Sequence, residues 1–145
     1  MQGFISDTVK LTPALAYASG TADREGATLD MAGYDGVLMV VHWSAIHNDA
    51  TLKVKAQQGA LSNATDMADL AGTSQTIAGT YDDKVTYIDV YQPRERYVRL
   101  VVDKDTTNAV AESAMYYQYK AQFQPVTQSA SVAGEQFVSP AEGTA

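Results

Sequence analysis

The chain has 145 residues, no cysteine and a formal net charge of −7. This length is typical of one domain with its own core, and an apolar fraction of 46% excludes a wholly disordered chain. The lack of cysteine excludes disulfides, thiolate metal sites and cysteine nucleophiles. The acidic balance argues against unassisted binding to nucleic acid or to anionic lipid.

The first ten residues, MQGFISDTVK, do not have the pattern of a secretory signal, because a basic start and a long apolar run are both lacking. The longest apolar run spans residues 37–41, far short of the ~20 residues that cross a membrane. We therefore expect no membrane partner. We also expect the protein to act in the compartment where it is made, or as part of a larger assembly.

Short runs of period-two alternation, rich in β-branched and aromatic residues, predict about eight strands. Turn residues such as Tyr34-Asp35-Gly36 separate these runs. Regular short strands with turn chemistry between them are typical of a β-sandwich or jelly roll, so the predicted fold is an all-β, antiparallel sandwich. In chain order the predicted strands cover residues 8–17, 27–31, 36–46, 51–57, 75–78, 84–92, 95–103 and 112–123.

Three local predictions accompany this fold. Pro93 and Arg94 are the turn residues between the strands at 84–92 and 95–103, which predicts a hairpin. The longer connection at 58–74 has room for a helical turn at 64–70. The strand pattern predicts a core that includes Val40, Trp43, Ile88, Leu100 and Val102.

The composition changes near residue 124, so we predict a sandwich domain at 1–123 and an extended C-terminal arm at 124–145. The arm has no Lys or Arg and too few large apolar side chains to order itself. Phe137 and Val138 form a compact apolar pair in this arm, suited to docking in a groove or at a sheet edge of a neighbouring subunit. The alternative is a disordered tail.

No catalytic or metal-binding motif is recognisable, so we expect neither an enzyme nor a bound cofactor. His42 and His47 are five residues apart, a spacing that sends the two rings to opposite faces of a strand. Asp103, Asp105 and Asn108 have a spacing similar to that of calcium ligands, but the glycine and the glutamate of a calcium loop are missing.

One basic cluster stands out, formed by Arg94, Arg96 and Arg99 beside Tyr91 and Tyr97. Arginine and tyrosine are favoured at protein interfaces, so these residues are candidates for binding an acidic partner. An exposed hairpin, in which arginine stems cover apolar surface, explains the same residues and is the favoured interpretation. The nine tyrosines also suit half-buried subunit contacts, although strand propensity explains many of them.

Residues 27–119 resemble the small β-sandwich proteins that decorate the capsids of tailed phages. The similarity includes the turn Tyr34-Asp35-Gly36 before an apolar strand and the run Arg96-Tyr97-Val98-Arg99 that opens the penultimate long strand. It also covers the segments TLKVKAQQG and VTYIDVYQPRERYVRLVVD. The shared features are mostly patterns of strands and turns, without a chemical signature.

The resemblance implies a jelly-roll-like domain on the capsid exterior, made in the host cytoplasm. Such proteins hold neighbouring coat subunits together and form trimers or dimers, so the implied partners are the major capsid protein and further copies of the chain, with a homotrimer favoured over a dimer. No catalytic residue is carried over from this family, and its contact residues differ between members.

Two other functions remain open at this point. A carbohydrate- or receptor-binding β-sandwich of a virion would use Trp43 and exposed tyrosines to stack on sugars. A jelly-roll enzyme of the cupin type would need a cluster of about three metal ligands, whereas the chain has only two histidines.

Overall fold

Two antiparallel sheets pack face to face in the computed structural model, which describes residues 3–47, 49–104 and 108–144. No helix in these described ranges reaches seven residues, so the predicted all-β, antiparallel sandwich is confirmed. In this described part of the chain, ten strands form the sheets: β1 (Lys10–Gly20), β2 (Arg24–Glu25), β3 (Leu29–Asp30), β4 (Tyr34–Ile46), β5 (Thr51–Gly59), β6 (Ala68–Asp69), β7 (Gln75–Ala78), β8 (Val85–Tyr91), β9 (Tyr97–Lys104) and β10 (Val110–Ala121).

The strand order is that of a jelly roll. The first sheet has the order β1-β10-β4-β8, so the first long strand pairs with the last one. In the second sheet, β9 and β5 are central, β2 and β3 share the edge beside β9, and β6 and β7 share the edge beside β5. Each pair of short strands thus fills one position, which gives two sheets of four positions each. Among the described strands, β5 and β6 are the only two that follow each other in the chain and also pair with each other.

The predicted hairpin between β8 and β9 is wrong, because these strands belong to different sheets. β8 pairs with β4, and β9 pairs with β5. Ile88 on β8 and Leu100 on β9 are both buried, and in a sandwich two such inward faces meet across the core. Pro93 lies in the connection from β8 to β9, which crosses one end of the sandwich. Proline, which has no N–H, fits such a connection just as it fits a tight turn.

The helical turn predicted at 64–70 is also absent from the structure. The backbone N–H groups of Ala60 and Leu61 donate to the Asp66 carboxylate over 2.7 and 3.2 Å, which holds this connection in consecutive turns. Ala68–Asp69 then pairs with the end of β5. Short polar side chains that bond to nearby backbone compete with helix formation in this way.

The core lies between the sheets and follows the alternation along each strand. Trp43, Leu100 and Val102 are fully buried and Ile88 is nearly so, as predicted. The prediction was wrong for Val40, which is half-buried on the outer surface of the first sheet. Val40 and Trp43 are three residues apart on β4, and side chains at odd separations point to opposite faces of a strand.

A buried ion cluster joins β2, β9 and β10 at the end of the sandwich opposite to the connection between β8 and β9. The Glu112 carboxylate on β10 has no solvent exposure and lies 2.8 Å from Arg24 Nη1 and 2.9 Å from Lys104 Nζ. Lys104 Nζ also donates to the carbonyl oxygens of Gly20 and Val110, each over 3.2 Å. Removing one partner of such a pair typically costs about 3–5 kcal/mol, because the other charge is then buried without compensation.

The residues after β10 form an arm without regular secondary structure in its described part, and the arm bonds to the start of β1. The Val126 N–H donates to the Asp7 carbonyl over 2.8 Å. The Gln128 side chain accepts from the Leu11 N–H over 3.0 Å and donates to the Val9 carbonyl over 2.7 Å. The Gln128 amide thus bonds to the free edge of β1 as the peptide group of a further strand would.

We expect the substitution Leu100→Ala to lower the free energy of unfolding by about 2–5 kcal/mol, because it opens a cavity in the middle of the core. The same truncation at Leu38, which is half-buried on the outer surface, is the matched control and should cost clearly less. Urea unfolding of both variants measures the difference, and equal losses would contradict the assigned inward and outward faces.

The arm should be cleaved faster when Gln128 is replaced by alanine, since the substitution removes its bonds to the edge of β1. Cleavage by chymotrypsin after Phe137, followed by mass spectrometry, measures this rate. Gln122→Ala is the control because its exposed side chain lies before the bonded segment. Identical rates in the two variants would show that the Gln128 bonds do not hold the arm.

Candidate functional site

Arg94 and Arg96 line an open cleft of about 500 Å³ at the end of the sandwich where the chain crosses from β8 to β9. The turn between β3 and β4 forms its other wall, and we call this feature the end cleft. The Gln92 N–H donates to the Asp35 carbonyl over 2.7 Å, and the Met31 N–H donates to the Arg96 carbonyl over 2.8 Å. Asp35 and Arg96, one from each of the segments on which the resemblance depends, thus line the same cleft.

Arg96 is paired with an acidic side chain. Its Nε and Nη2 atoms donate to the two Asp30 carboxylate oxygens over 2.9 and 2.8 Å, and its guanidinium lies 5.4 Å from the centre of the Tyr97 ring. The hydrogen bonds from Arg96 lower the pKa of Asp30 below its usual value, against a smaller opposing effect of burial. Arg96 therefore ties the start of β9 to the short edge strand β3.

Arg99 is paired as well, on the outer surface of the second sheet. Its Nη1 and Nη2 atoms donate to the Glu25 carboxylate over 2.7 and 3.1 Å, and its Nε donates to the Gln57 side chain over 2.8 Å. Among the described residues, none pairs with the guanidinium of Arg94, which is exposed. The predicted basic cluster is therefore one free arginine beside two neutralised ones, not a continuous positive patch.

Of the other predicted contact residues, Tyr97 lies against Arg96, Tyr91 ends the strand that leads into the end cleft, and the apolar pair of the arm lies elsewhere. Tyr91 ends β8 and is about half exposed, with Lys120 Nζ 4.7 Å from the centre of its ring. Phe137 and Val138 are exposed on the arm, by 64% and 86%. The arm is bonded to the start of β1, whereas Arg94 follows β8, and these two strands are opposite edges of the first sheet.

Sequence reasoning missed an apolar surface on the outside of the first sheet. Cross-strand rows place Pro13 beside Met115, Val40 and Tyr87, and Leu11 beside Tyr117 and Leu38. Tyr119 packs over Gly36, where a Cβ atom would collide with the tyrosine ring. We call the following outward-facing residues the apolar face: Leu11, Pro13, Leu38, Val40, Val85, Tyr87, Met115 and Tyr117.

A signal for this face was present in the sequence. Met115, Tyr117 and Tyr119 alternate along β10, Val85, Tyr87 and Tyr91 alternate along β8, and β4 is apolar on both faces. A strand with both faces apolar is typical of one that is enclosed on both sides. In the structure, each sheet has only one neighbour, so the second set of apolar side chains faces outward.

The outer surface of the second sheet is charged by contrast. Lys55 Nζ lies 2.9 Å from Asp69, and the Arg99–Glu25 pair lies on the same surface. On the apolar face, the acidic residue Asp89 lies at the edge strand and accepts a hydrogen bond from the Tyr119 hydroxyl over 2.6 Å. Burial, and then this bond to a carboxylate, raise the pKa of Tyr119 above its usual value. The two outer surfaces therefore differ in the partners that they can bind.

The candidates for metal or sugar binding are the two histidines, the calcium-loop-like run at 103–108 and Trp43. No group of three or more His, Asp or Glu side chains within the described ranges is arranged to hold a metal ion. Of the calcium-loop-like run, residues 105–107 lie outside the described residues. Trp43 is fully buried and donates from Nε1 to the Thr86 hydroxyl over 2.8 Å, so its ring cannot stack on a sugar.

No helix in the described part of the chain has the length and apolar character to cross a membrane.

Replacing Arg96 with glutamine should lower the melting temperature on the order of 1–3 °C at neutral pH, because it removes the bidentate pair with Asp30. Since the pKa of Asp30 is lowered in the folded protein, the pair stabilises the protein above about pH 4 and its contribution is lost as pH falls through that lowered pKa. Arg94→Gln, which removes no described pair, is the control. Melting curves from pH 7 downwards should converge for the Arg96 variant and the wild type, and a pH-independent difference would contradict the ion pair.

No protein-family model matches this chain, and no curated protein matches it in sequence. The function proposed below therefore depends on the resemblance of residues 27–119, on the jelly-roll fold, and on the end cleft and the apolar face.

Proposed function

We propose that this protein is a structural, non-enzymatic component of a virion that binds the outer surface of a phage capsid and stabilises contacts between coat subunits. The resemblance of residues 27–119 to capsid decoration proteins is the first support. The jelly-roll strand order is compatible with it, since this fold occurs in viral capsid domains, although lectins and cupins share the architecture.

The observation that carries the proposal is that one sandwich has two separate surfaces suited to contacts, the end cleft and the apolar face. A protein that strengthens a shell has to hold at least two neighbours at once. The end cleft lies where β8 crosses to β9, and the apolar face covers the outside of the first sheet. Simultaneous contacts of modest strength add up to tight attachment on a repetitive lattice.

We assign the coat contact to the end cleft and self-association to the apolar face. Arg94 is exposed there without a described partner, so its guanidinium is available to an acidic group of the major capsid protein. Tyr91 is exposed at the end of β8, which leads into the same connection. The apolar face suits further copies of the chain, with a homotrimer favoured over a dimer.

The second candidate is a carbohydrate- or receptor-binding module of a virion. Tyr17, Tyr87 and Tyr91 are each more than half exposed, and aromatic rings of this kind stack on sugars. A glycan array tests this function directly. Binding to a defined glycan without binding to capsids would favour it over the structural role.

Purified wild-type protein should co-sediment with capsids that lack it, and the Arg94→Glu variant should bind on the order of tenfold more weakly, as expected for an interfacial arginine. Lys53→Glu is the matched control, because it makes the same change of charge at an exposed position on the outer surface of the second sheet. Wild-type protein that stays in the supernatant at high micromolar concentration would overturn the proposed function. Equal loss in both variants would indicate an effect of net charge, without a contact at the end cleft.

A further inference from the structure

The apolar face contains a groove of about 340 Å³, within the size range of pockets that hold small ligands. None of the described residues that line it is acidic. The two bulges of β1, after Pro13 and after Leu15, interrupt the regular pairing with β10 along one side of this groove. Its principal lining residues are Pro13, Leu15, Val40, His42, Met115 and Tyr117.

The arm carries an apolar pair that its own chain leaves uncovered. Phe137 and Val138 expose 64% and 86% of their surface, while the residue before them is fixed. Gln136 Nε2 donates to the Ser6 hydroxyl and to the Asp7 carboxylate, each over 2.8 Å.

The path of the arm decides which groove the pair can reach. Val126 bonds to Asp7, Gln128 bonds further along at Leu11, and a turn at 129–132 precedes the return of the chain to Ser6 and Asp7. Phe137 and Val138 therefore follow a point that precedes β1, whereas the groove begins at Pro13, further along the strand. Neither residue of the pair lines the groove of its own chain, and their exposure leaves them available to another copy.

The area of the apolar face argues against simple face-to-face pairing. Four strands ~4.8 Å apart, over the seven residues of β4 that pair with β8, cover about 450 Å² per copy. A stable interface buries ~800 Å² per partner, so two such faces alone would make a weak contact. The exposed pair on the arm of a second copy offers this face an apolar contact of another kind.

Charge and symmetry favour the same occupant. The chain has a net charge of −7, so two copies meet most easily where acidic side chains are few, as they are among the described residues of the groove. A face that binds the same face of another copy gives a dimer, whereas a groove that binds a different segment gives a head-to-tail contact. Only the second kind of contact closes a ring of three copies.

We propose that Phe137 and Val138 of one copy dock in the groove of the apolar face of a second copy, so that head-to-tail contacts close a ring. The inference rests on the proposed function in that it names the partner of this face. Its test uses the purified chain without capsids, so that its failure is distinguishable from a failure of capsid binding.

The experiment compares two single-surface variants by analytical ultracentrifugation. The arm variant is Phe137→Ser with Val138→Ser, which changes exposed side chains only, and the groove variant is Met115→Lys. Phe123→Ser is the control for the arm, since Phe123 is an exposed phenylalanine before the bonded segment. Thr76→Lys is the control for the groove, since it places the same charge on an exposed strand position of the second sheet.

We expect wild type and both controls to form rings, and each variant alone to associate about tenfold to a hundredfold more weakly. An equal mixture of the two variants should form heterodimers, because the intact groove of the arm variant accepts the intact pair of the groove variant. A wild-type chain that is monomeric at high micromolar concentration would overturn the proposal. So would an arm variant that associates like wild type, which would identify face-to-face pairing, or a mixture that fails to pair.

Discussion

The ladder between β10 and β4 is the constraint on which the rest of the molecule depends. Its register places the rows of Trp43 and of Tyr116 in the core, and it places a row between them, Val40 beside Met115, on the outer surface. A slip of one residue would exchange these two sets, because successive side chains of a strand point to opposite faces. About seventy residues separate the two strands in the chain, so the pairing that defines both the core and the apolar face closes a long loop, and non-local pairing of this kind slows folding.

The alternation of side chains was sufficient to predict an all-β sandwich, but it did not determine which strands pair. Pro93 and Arg94 have the chemistry of a turn, and local turn chemistry is the same for a hairpin and for a crossing between sheets. Whether such a turn joins paired strands or strands of different sheets depends on how the apolar faces are buried. Ile88 and Leu100 are both buried because their strands contribute to opposite sides of the core. The prediction for Val40 was wrong because every residue in the run at 37–41 is apolar, so the run does not show which positions face the core. The buried Trp43, three residues further along, identifies the inward face.

The sequence predicted where the arginines of the candidate site lie better than it predicted which of them are free to bind a partner. Arg94 and Arg96 do line the end cleft, whereas Arg99 lies on the outer surface of the second sheet. Arg96 and Arg99 are neutralised by Asp30 and Glu25, which are more than sixty residues away in the chain. Pairing at that distance has no local signature. The apolar face was visible only as an excess of tyrosine and methionine on alternating positions, and the choice between enclosure and exposure depends on how many layers the fold has.

The bonds of Gln128 to β1 have a consequence for behaviour at high concentration. An edge strand with free N–H and C=O groups is a template for adding strands from other molecules, and this is how ordered β-sheet proteins convert into fibrils. Gln128 occupies these groups at Val9 and Leu11, and Pro13 has no N–H to offer. At the opposite edge of the same sheet, the Gln75 side chain donates to the Tyr87 carbonyl. One glutamine amide at each edge of the sheet thus occupies backbone groups that would otherwise pair with a further strand. This arrangement opposes the addition of strands from other molecules at high protein concentration.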